Sequence, residues 1–212
     1  RLPEDWVCPE PPAAAGAVCD PPRENREAVV YEWAGDTARA VGTVVHRCLQ
    51  HIAQTWTDAA AEAAAYEAAI RRMLQREGVP NAQLDEAWGR AREAIERSVR
   101  DEQGRWILSS RHADARCEAA VTAEVGGELR RLVVDRTFVD TDGVRWIIDY
   151  KTGVHLGGDV EGFLDREQER YRSQLERYAE AFGRLEDRPV RTALYYPLVQ
   201  GGWREVETSR TP

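Results

Sequence analysis

Lysine is almost missing from this chain: of 29 basic residues, only Lys151 is not arginine. A bias this strong replaces lysine wherever either cation serves. The position that kept it reads as one that needs a compact ammonium in place of a planar, permanently charged fork; chance survival of one lysine is the alternative, and its neighbours decide. No apolar run approaches the ~20 residues of a bilayer-spanning helix, which excludes a helical membrane protein. Cys8, Cys19, Cys48 and Cys117 form no C-x-x-C pair. A zinc ribbon or iron–sulfur cluster is thus not expected, and scattered thiols of a cytoplasmic protein are. Arg1-Leu2-Pro3-Glu4-Asp5 has neither an initiator methionine nor a signal-peptide pattern, and reads as the start of a piece of something larger. Positive charge is short as well. A net charge of −8 argues against gripping nucleic acid by bulk electrostatics. It leaves open nucleic-acid chemistry at an acidic site neutralised by metal.

What is present fits one globular domain with a tail: 212 residues, 42% apolar and 31% charged. Residues 1–27 hold six of the ten prolines, a linker composition. Ala28 to Trp33 suits a short strand. Val41, Val44, Val45, Cys48, Leu49 and Ile52 follow helical spacing from Thr37 to about Trp56, with Asp36 or Thr37 as N-cap. Two more helices are expected over 58–77 and 81–102, the first stopped by Gly78-Val79-Pro80. The pattern then turns to strands at 116–125, 128–140 and 144–151, separated by Gly126-Gly127 and Thr141-Asp142-Gly143. These separators are hairpin turns, so the three segments form an antiparallel meander. A helix over about 159–185 buries Val160, Phe163, Leu164, Tyr171, Leu175, Tyr178, Phe182 and Leu185. Closing strands are expected at 190–199 and 203–207.

The turns set the register. A two-residue Gly-Gly loop pairs Val125 with Glu128 and so puts Glu118 opposite Asp135. A three-residue loop with Gly143 left-handed pairs Asp140 with Val144 and puts Asp135 opposite Asp149. Three carboxylates then stand in a row, and Lys151 shares the face of Asp149 because strand side chains alternate. Like charges directly opposite destabilise a sheet, and a divalent cation removes the conflict; hard oxygen ligands suit Mg²⁺ or Mn²⁺. A solvated acidic face is the alternative, and a one-residue slip in either turn breaks the row. Against it, Leu132-Val133-Val134 and Trp146-Ile147-Ile148 are apolar on both faces, and carboxylates in buried strands are rarely left unpartnered. Two other features point to the same place. His46 lies at the edge of the first helix's apolar stripe, with Gly42 one turn earlier leaving room for close approach. Gln174 sits inside the stripe of the 159–185 helix and must find hydrogen-bond partners there.

These residues form a known pattern. Ile148-Asp149-Tyr150-Lys151-Thr152 resembles the D-Y-K-T motif of the PD-(D/E)xK nuclease superfamily, in particular its RecB/AddA-type domains at the C-terminus of bacterial helicase–nucleases. Gly42-Thr43-Val44-Val45-His46 is similar to that group's G-T-x-x-H helix. Val134-Asp135-Arg136 is similar to its I-D-R strand, and Tyr171-x-x-Gln174-Leu175-x-x-Tyr178 to its trailing Y-x-x-Q-L-x-x-Y helix. The family's Gly two residues before the I-D pair is Leu132 here, and its Pro before the Asp is Val134. The cysteine cluster of iron–sulfur members is absent, since no Cys follows Cys117.

The resemblance implies an α/β, restriction-endonuclease-like fold. A mixed sheet containing the antiparallel meander is flanked by the His46 and Gln174 helices, with a helical insertion over 58–102, the nuclease domain covering 28–212 and the linker 1–27. It implies metal ligation by His46, Asp135, Asp149 and the Tyr150 carbonyl. It makes Asp135, Asp149 and Lys151 catalytic, and gives Glu118, Tyr171, Gln174 and Tyr178 supporting or DNA-contacting places. The cofactor is then Mg²⁺, or Mn²⁺. The partners are DNA, chiefly single-stranded ends, an upstream helicase in the same chain and a second helicase–nuclease subunit, with no membrane. A reading of another class is a non-cleaving DNA-binding or docking module, favoured by the acidic charge and by Arg interspersed with Glu over 159–185. A small-phosphate hydrolase is a third, without a Gly-rich phosphate loop to support it.

Overall fold

The computed structural model describes residues 26–55, 66–125, 128–153 and 158–206. The proline-rich start, the Gly126-Gly127 pair, positions 56–65, Cys8 and Cys19 lie outside them. Helices α1 (Arg26–Thr55), α2 (Glu67–Arg76), α3 (Leu84–Arg100) and α4 (Glu102–Leu108) precede strands β1 (Ala113–Val125), β2 (Glu128–Val139) and β3 (Arg145–Tyr150). Helix α5 (Val160–Gly183) then leads to β4 (Val190–Tyr195) and β5 (Trp203–Val206). The five strands form one mixed sheet in sequence order. β1, β2 and β3 are antiparallel, β4 runs parallel to β3, and β5 is antiparallel to β4. The parallel pair needs a crossover, which α5 supplies. The expected α/β architecture with a meander and flanking helices is what forms. No helix among the described residues is long and apolar enough to cross a membrane.

Two cores result, one on each face. Val41, Val44, Val45 and Leu49 of α1 are buried with Ala87, Ala91 and Ile95 of α3 and with Phe138, Trp146 and Ile148 of the sheet. Leu164, Leu175, Tyr178 and Phe182 of α5 cover Ile147, Val134 and Leu194 on the other side. Every residue of β3 is buried, as a strand covered on both faces must be.

Three local expectations are corrected. Ala28–Trp33 is helical backbone within α1, not a strand. Extending an existing helix costs far less than nucleating a new element. Asp36 and Thr37 consequently lie inside α1 and cap nothing; the Thr37 hydroxyl instead bonds the Gln83 side-chain oxygen. Leu185 is 66% exposed because α5 ends at Gly183, after which the helical stripe no longer applies. Helix α4 lies beyond the expected end of the helical region. Asp101 starts it by accepting the Gly104 N–H at 3.0 Å. Gly104 is required at this corner, since a Cβ there would lie 2.2 Å from the Ser98 carbonyl oxygen.

The second hairpin has the expected register, Arg136 with Ile148 through Val139 with Arg145, and Gly143 takes φ +79. Asp140 organises it. Its carboxylate accepts N–H groups from Asp142 (3.0 Å) and Val144 (2.9 Å) and the Trp146 indole (2.7 Å). Partial burial alone would raise its pKa, but these donors outweigh it and hold the carboxyl below its usual value. A depressed folded-state pKa means stability present above the unfolded value of about 4 and lost as pH falls through the folded one. Asp140→Ala is expected to cost about 1–3 kcal/mol, mainly from the orphaned indole N–H. Urea denaturation at pH 7 and at pH 3 checks this: the gap between variant and wild type narrows at the lower pH.

Candidate active site

The site lies where β2 and β3 part. Their ladder runs from Val139–Arg145 to Arg136–Ile148, and at the next position a side chain replaces the backbone acceptor. Asp135 Oδ2 accepts the Tyr150 N–H at 2.7 Å. A carboxylate in this place satisfies a buried donor and keeps its second oxygen, Oδ1, for other work.

Glu118 stands opposite Asp135, bracketed by the pairs Cys117–Arg136 and Ala119–Val134. Its backbone has φ +48, uncommon for a residue with a side chain and a means of re-aiming that side chain out of the strand. From α1, the His46 ring reaches the same point. Its Nδ1 is 3.4 Å from Asp135 Oδ1, its Nε2 is 3.1 Å from the Tyr150 carbonyl oxygen, and its ring meets the Tyr150 ring edge-on. His46, Glu118 and Asp135 can offer ligand atoms that all lie within 4.8 Å of one another.

Asp149 is not drawn into that trio. Its Oδ2 faces the Lys151 ammonium at 2.6 Å and has no further hydrogen-bond donor among the described residues, while Oδ1 accepts from Gln174 Nε2 at 3.0 Å. Gln174 Nε2 also donates to the Tyr178 hydroxyl at 2.8 Å. Lys151 Nζ lies 3.8 Å from the centre of the Tyr171 ring, a cation–π contact that fixes the ammonium from below. The site residues read from the sequence thus form two adjoining groups, the imidazole–carboxylate trio and the Asp149–Lys151 pair with its α5 buttress.

Electrostatics bind the groups together. Burial, then the Asp135 charge, lifts the Asp149 carboxyl to about 6, against the opposing pull of Lys151. Burial and Asp135 also raise Glu118. For His46, burial is the largest influence and favours the neutral ring; the hydrogen bond and charge of Asp135, the charge of Asp149 and the Tyr150 carbonyl together outweigh it and raise the pKa. Burial is the larger cause for both carboxyls, with the Asp135 charge adding to it, while His46 is raised by its carboxylate neighbours against burial. Carboxylate oxygens with one imidazole are the donor set of a divalent cation such as Mg²⁺ or Mn²⁺, so the residues present fit one.

Sequence reasoning missed two supports. Arg136, 2% exposed, donates to the carbonyls of Ile107 (3.0 Å) and Ser109 (2.7 Å) at the end of α4. The helix's unpaired C-terminal carbonyls satisfy this buried cation, which locks the residue next to Asp135. The signal was an arginine within the mostly apolar stretch from Leu132 to Val139. The second is Thr152: a Cβ on Gly42 would come 2.9 Å from its Oγ1, so the glycine admits the segment that follows Lys151.

The chain matches the family model of the PD-(D/E)XK nuclease superfamily over residues 26–210, and it belongs to that superfamily. Its five-stranded mixed sheet flanked by helices is the restriction-endonuclease-like arrangement. Among solved structures, a protein of Eubacterium rectale named only provisionally as an exonuclease is 16% identical with a TM-score of 0.37. That match covers 74% of this chain and 60% of the other. No curated protein matches the chain.

Asp135 accepts the Tyr150 N–H with one oxygen and turns the other toward His46. Asp135→Asn keeps an oxygen for the Tyr150 N–H and should fold normally, yet lose at least about tenfold in Mn²⁺ affinity by calorimetry. Asp135→Ala should lose the same affinity and, in addition, about 1–3 kcal/mol of metal-free stability by urea denaturation.

Proposed function

We propose that this chain is a divalent-metal-dependent deoxyribonuclease domain of the RecB/AddA type, hydrolysing phosphodiester bonds at DNA ends unwound by an attached helicase in double-strand-break repair and recombination. On this reading residues 28–212 are the nuclease domain and 58–102 its helical insertion. Residues 1–27 link it to the helicase, and a second helicase–nuclease subunit is the further partner. The observation that carries the proposal is the Lys151 ammonium held 2.6 Å from Asp149, next to the trio of His46, Glu118 and Asp135. The chain's only lysine thus sits beside the one cluster of metal-ligand-type groups found among the described residues.

His46, Glu118 and Asp135 would hold Mg²⁺ or Mn²⁺, with Asp149 and the Tyr150 carbonyl as the further oxygens that the family resemblance assigns. When bound, the ion supplies positive charge against the phosphate and acidifies water. The protein's own groups do the rest. Asp149, ionised and oriented by Gln174, holds the ammonium in place. Lys151 directs its remaining N–H donors at the attacking water and at charge building on the phosphate, a role for which an ammonium suits better than a guanidinium. Tyr171 and Tyr178 wall this end of the site and fix the α5 side of the arrangement.

The test is cleavage of a labelled single strand with Mg²⁺, with EDTA and with Mg²⁺ restored. Wild type should cleave, stop and resume. Lys151→Ala and Asp149→Ala should each lose about 10²–10⁴-fold in rate while circular dichroism shows a folded domain. Undiminished cleavage by Lys151→Ala removes the basis of the proposal, and strand binding without cleavage by wild type would point to a docking module.

A further inference from the structure

We propose that the outward face of the β1–β2 ribbon is the track on which a polynucleotide strand lies as it enters or leaves the carboxylates, with Arg131 holding one of its flanking phosphates. This rests on the nuclease reading above and adds a positioning residue to it. β3 accompanies β2 only over Arg136–Val139, whereas β1 and β2 stay paired from Cys117–Arg136 out to Val125–Glu128. The ribbon therefore projects beyond β3, and it starts at Glu118 and Asp135.

Its two faces differ. Ala119 and Val121 of β1, with Val134 and Leu132 of β2, pack into the α5 core. The alternate positions continue the face of Glu118 and Asp135: Ala120 pairs with Val133, and Thr122 with Arg131. All four are exposed, as is Leu129 at 79%. Small side chains on β1 let a strand approach closely, and Val133 and Leu129, two residues either side of Arg131, offer apolar contact beside the cation.

Some exposed arginines of the helices are matched to carboxylates one turn away, as Arg90 to Glu86, Arg97 to Glu93 and Arg184 to Glu180. What sets Arg131 apart is its place on the ribbon that leads away from Glu118 and Asp135. Arg131 lies across from Thr122 and has no ion-pair partner among the described residues. On a chain of net charge −8, a guanidinium left uncompensated on the face that leads to the acidic cluster is a contact for an anion brought from outside. Four residues of strand from Asp135 place its Cα ~13 Å away. That suits a phosphate flanking the one attacked and is too far for the reacting group, so Arg131 contributes to binding and leaves the chemical step alone.

The experiment uses the full chain, a labelled single-stranded oligonucleotide and a dinucleotide. Affinity is measured by anisotropy with Ca²⁺ replacing Mg²⁺ over a range of salt, and cleavage is measured with Mg²⁺. Arg131→Ala should lower the slope of log affinity against log salt by about 0.7, one phosphate on a single strand. It should raise KM for the oligonucleotide several-fold, leave kcat unchanged and leave dinucleotide cleavage unchanged. Arg131→Lys should keep the slope, and Arg72→Ala, which removes an exposed arginine on α2, should change nothing. If wild type cleaves while Arg131→Ala keeps its slope and KM, the track is overturned and the nuclease reading survives. If wild type neither binds nor cleaves, both fall, a result seen before any variant is made.

Discussion

Everything at the site depends on one hydrogen bond that is not where a sheet would normally put it. By accepting the Tyr150 N–H, Asp135 takes over the place of a backbone carbonyl at the end of the β2–β3 ladder. The substitution lets the two strands part without orphaning a buried donor. The same carboxylate has its other oxygen toward His46, so closing the ladder and opening the site are one event. The left-handed backbone of Glu118 and the buried anchor of Arg136 on α4 hold the two sides of this gap. Neither would be worth its conformational or desolvation cost in an ordinary strand.

Around the gap the fold acts as a rigid frame. β3, buried along its whole length, carries Asp149 and delivers Lys151 just past its end. α1 on one face brings His46, and α5 on the other brings Gln174 and Tyr171. Each helix is held by its own apolar core, so groups far apart in sequence are positioned by packing rather than by loops. Such a frame can keep like charges close and away from water; burial first and the Asp135 charge second raise the Asp149 and Glu118 pKa values, because the frame cannot relax to hydrate or separate them. The superfamily membership and the chemistry of these groups agree: a site overloaded with negative charge and supplied with one ammonium suits a cation and a phosphate.

The meander was legible because turn length and strand alternation are local. Gly143 and the flanking apolar residues set the second hairpin's register, and the observed pairs follow it. Gln174 stood out as an amide in an apolar stripe, and His46 as a polar residue at a helix edge. Less was legible where one element's fate hung on another. The start of α1, the existence of α4 and the exposure of Leu185 depend on helix propagation, a glycine corner and a helix stop, none marked by periodicity. Arg136 could be seen as odd, but its partners, 27 and 29 residues away, could not be named.

The chain's sequence by itself determined which residues face each other across β1, β2 and β3, and that its single lysine follows an aspartate by two positions on a buried strand. These follow from the two-residue period of a strand and the fixed geometry of tight turns. Only the tertiary structure decided how the acids divide, with Glu118 and Asp135 meeting His46 while Asp149 turns to Lys151 and Gln174. That division is set by where the ladder ends and by how α1 and α5 seat on opposite faces, which are outcomes of packing over the whole domain that no local pattern encodes.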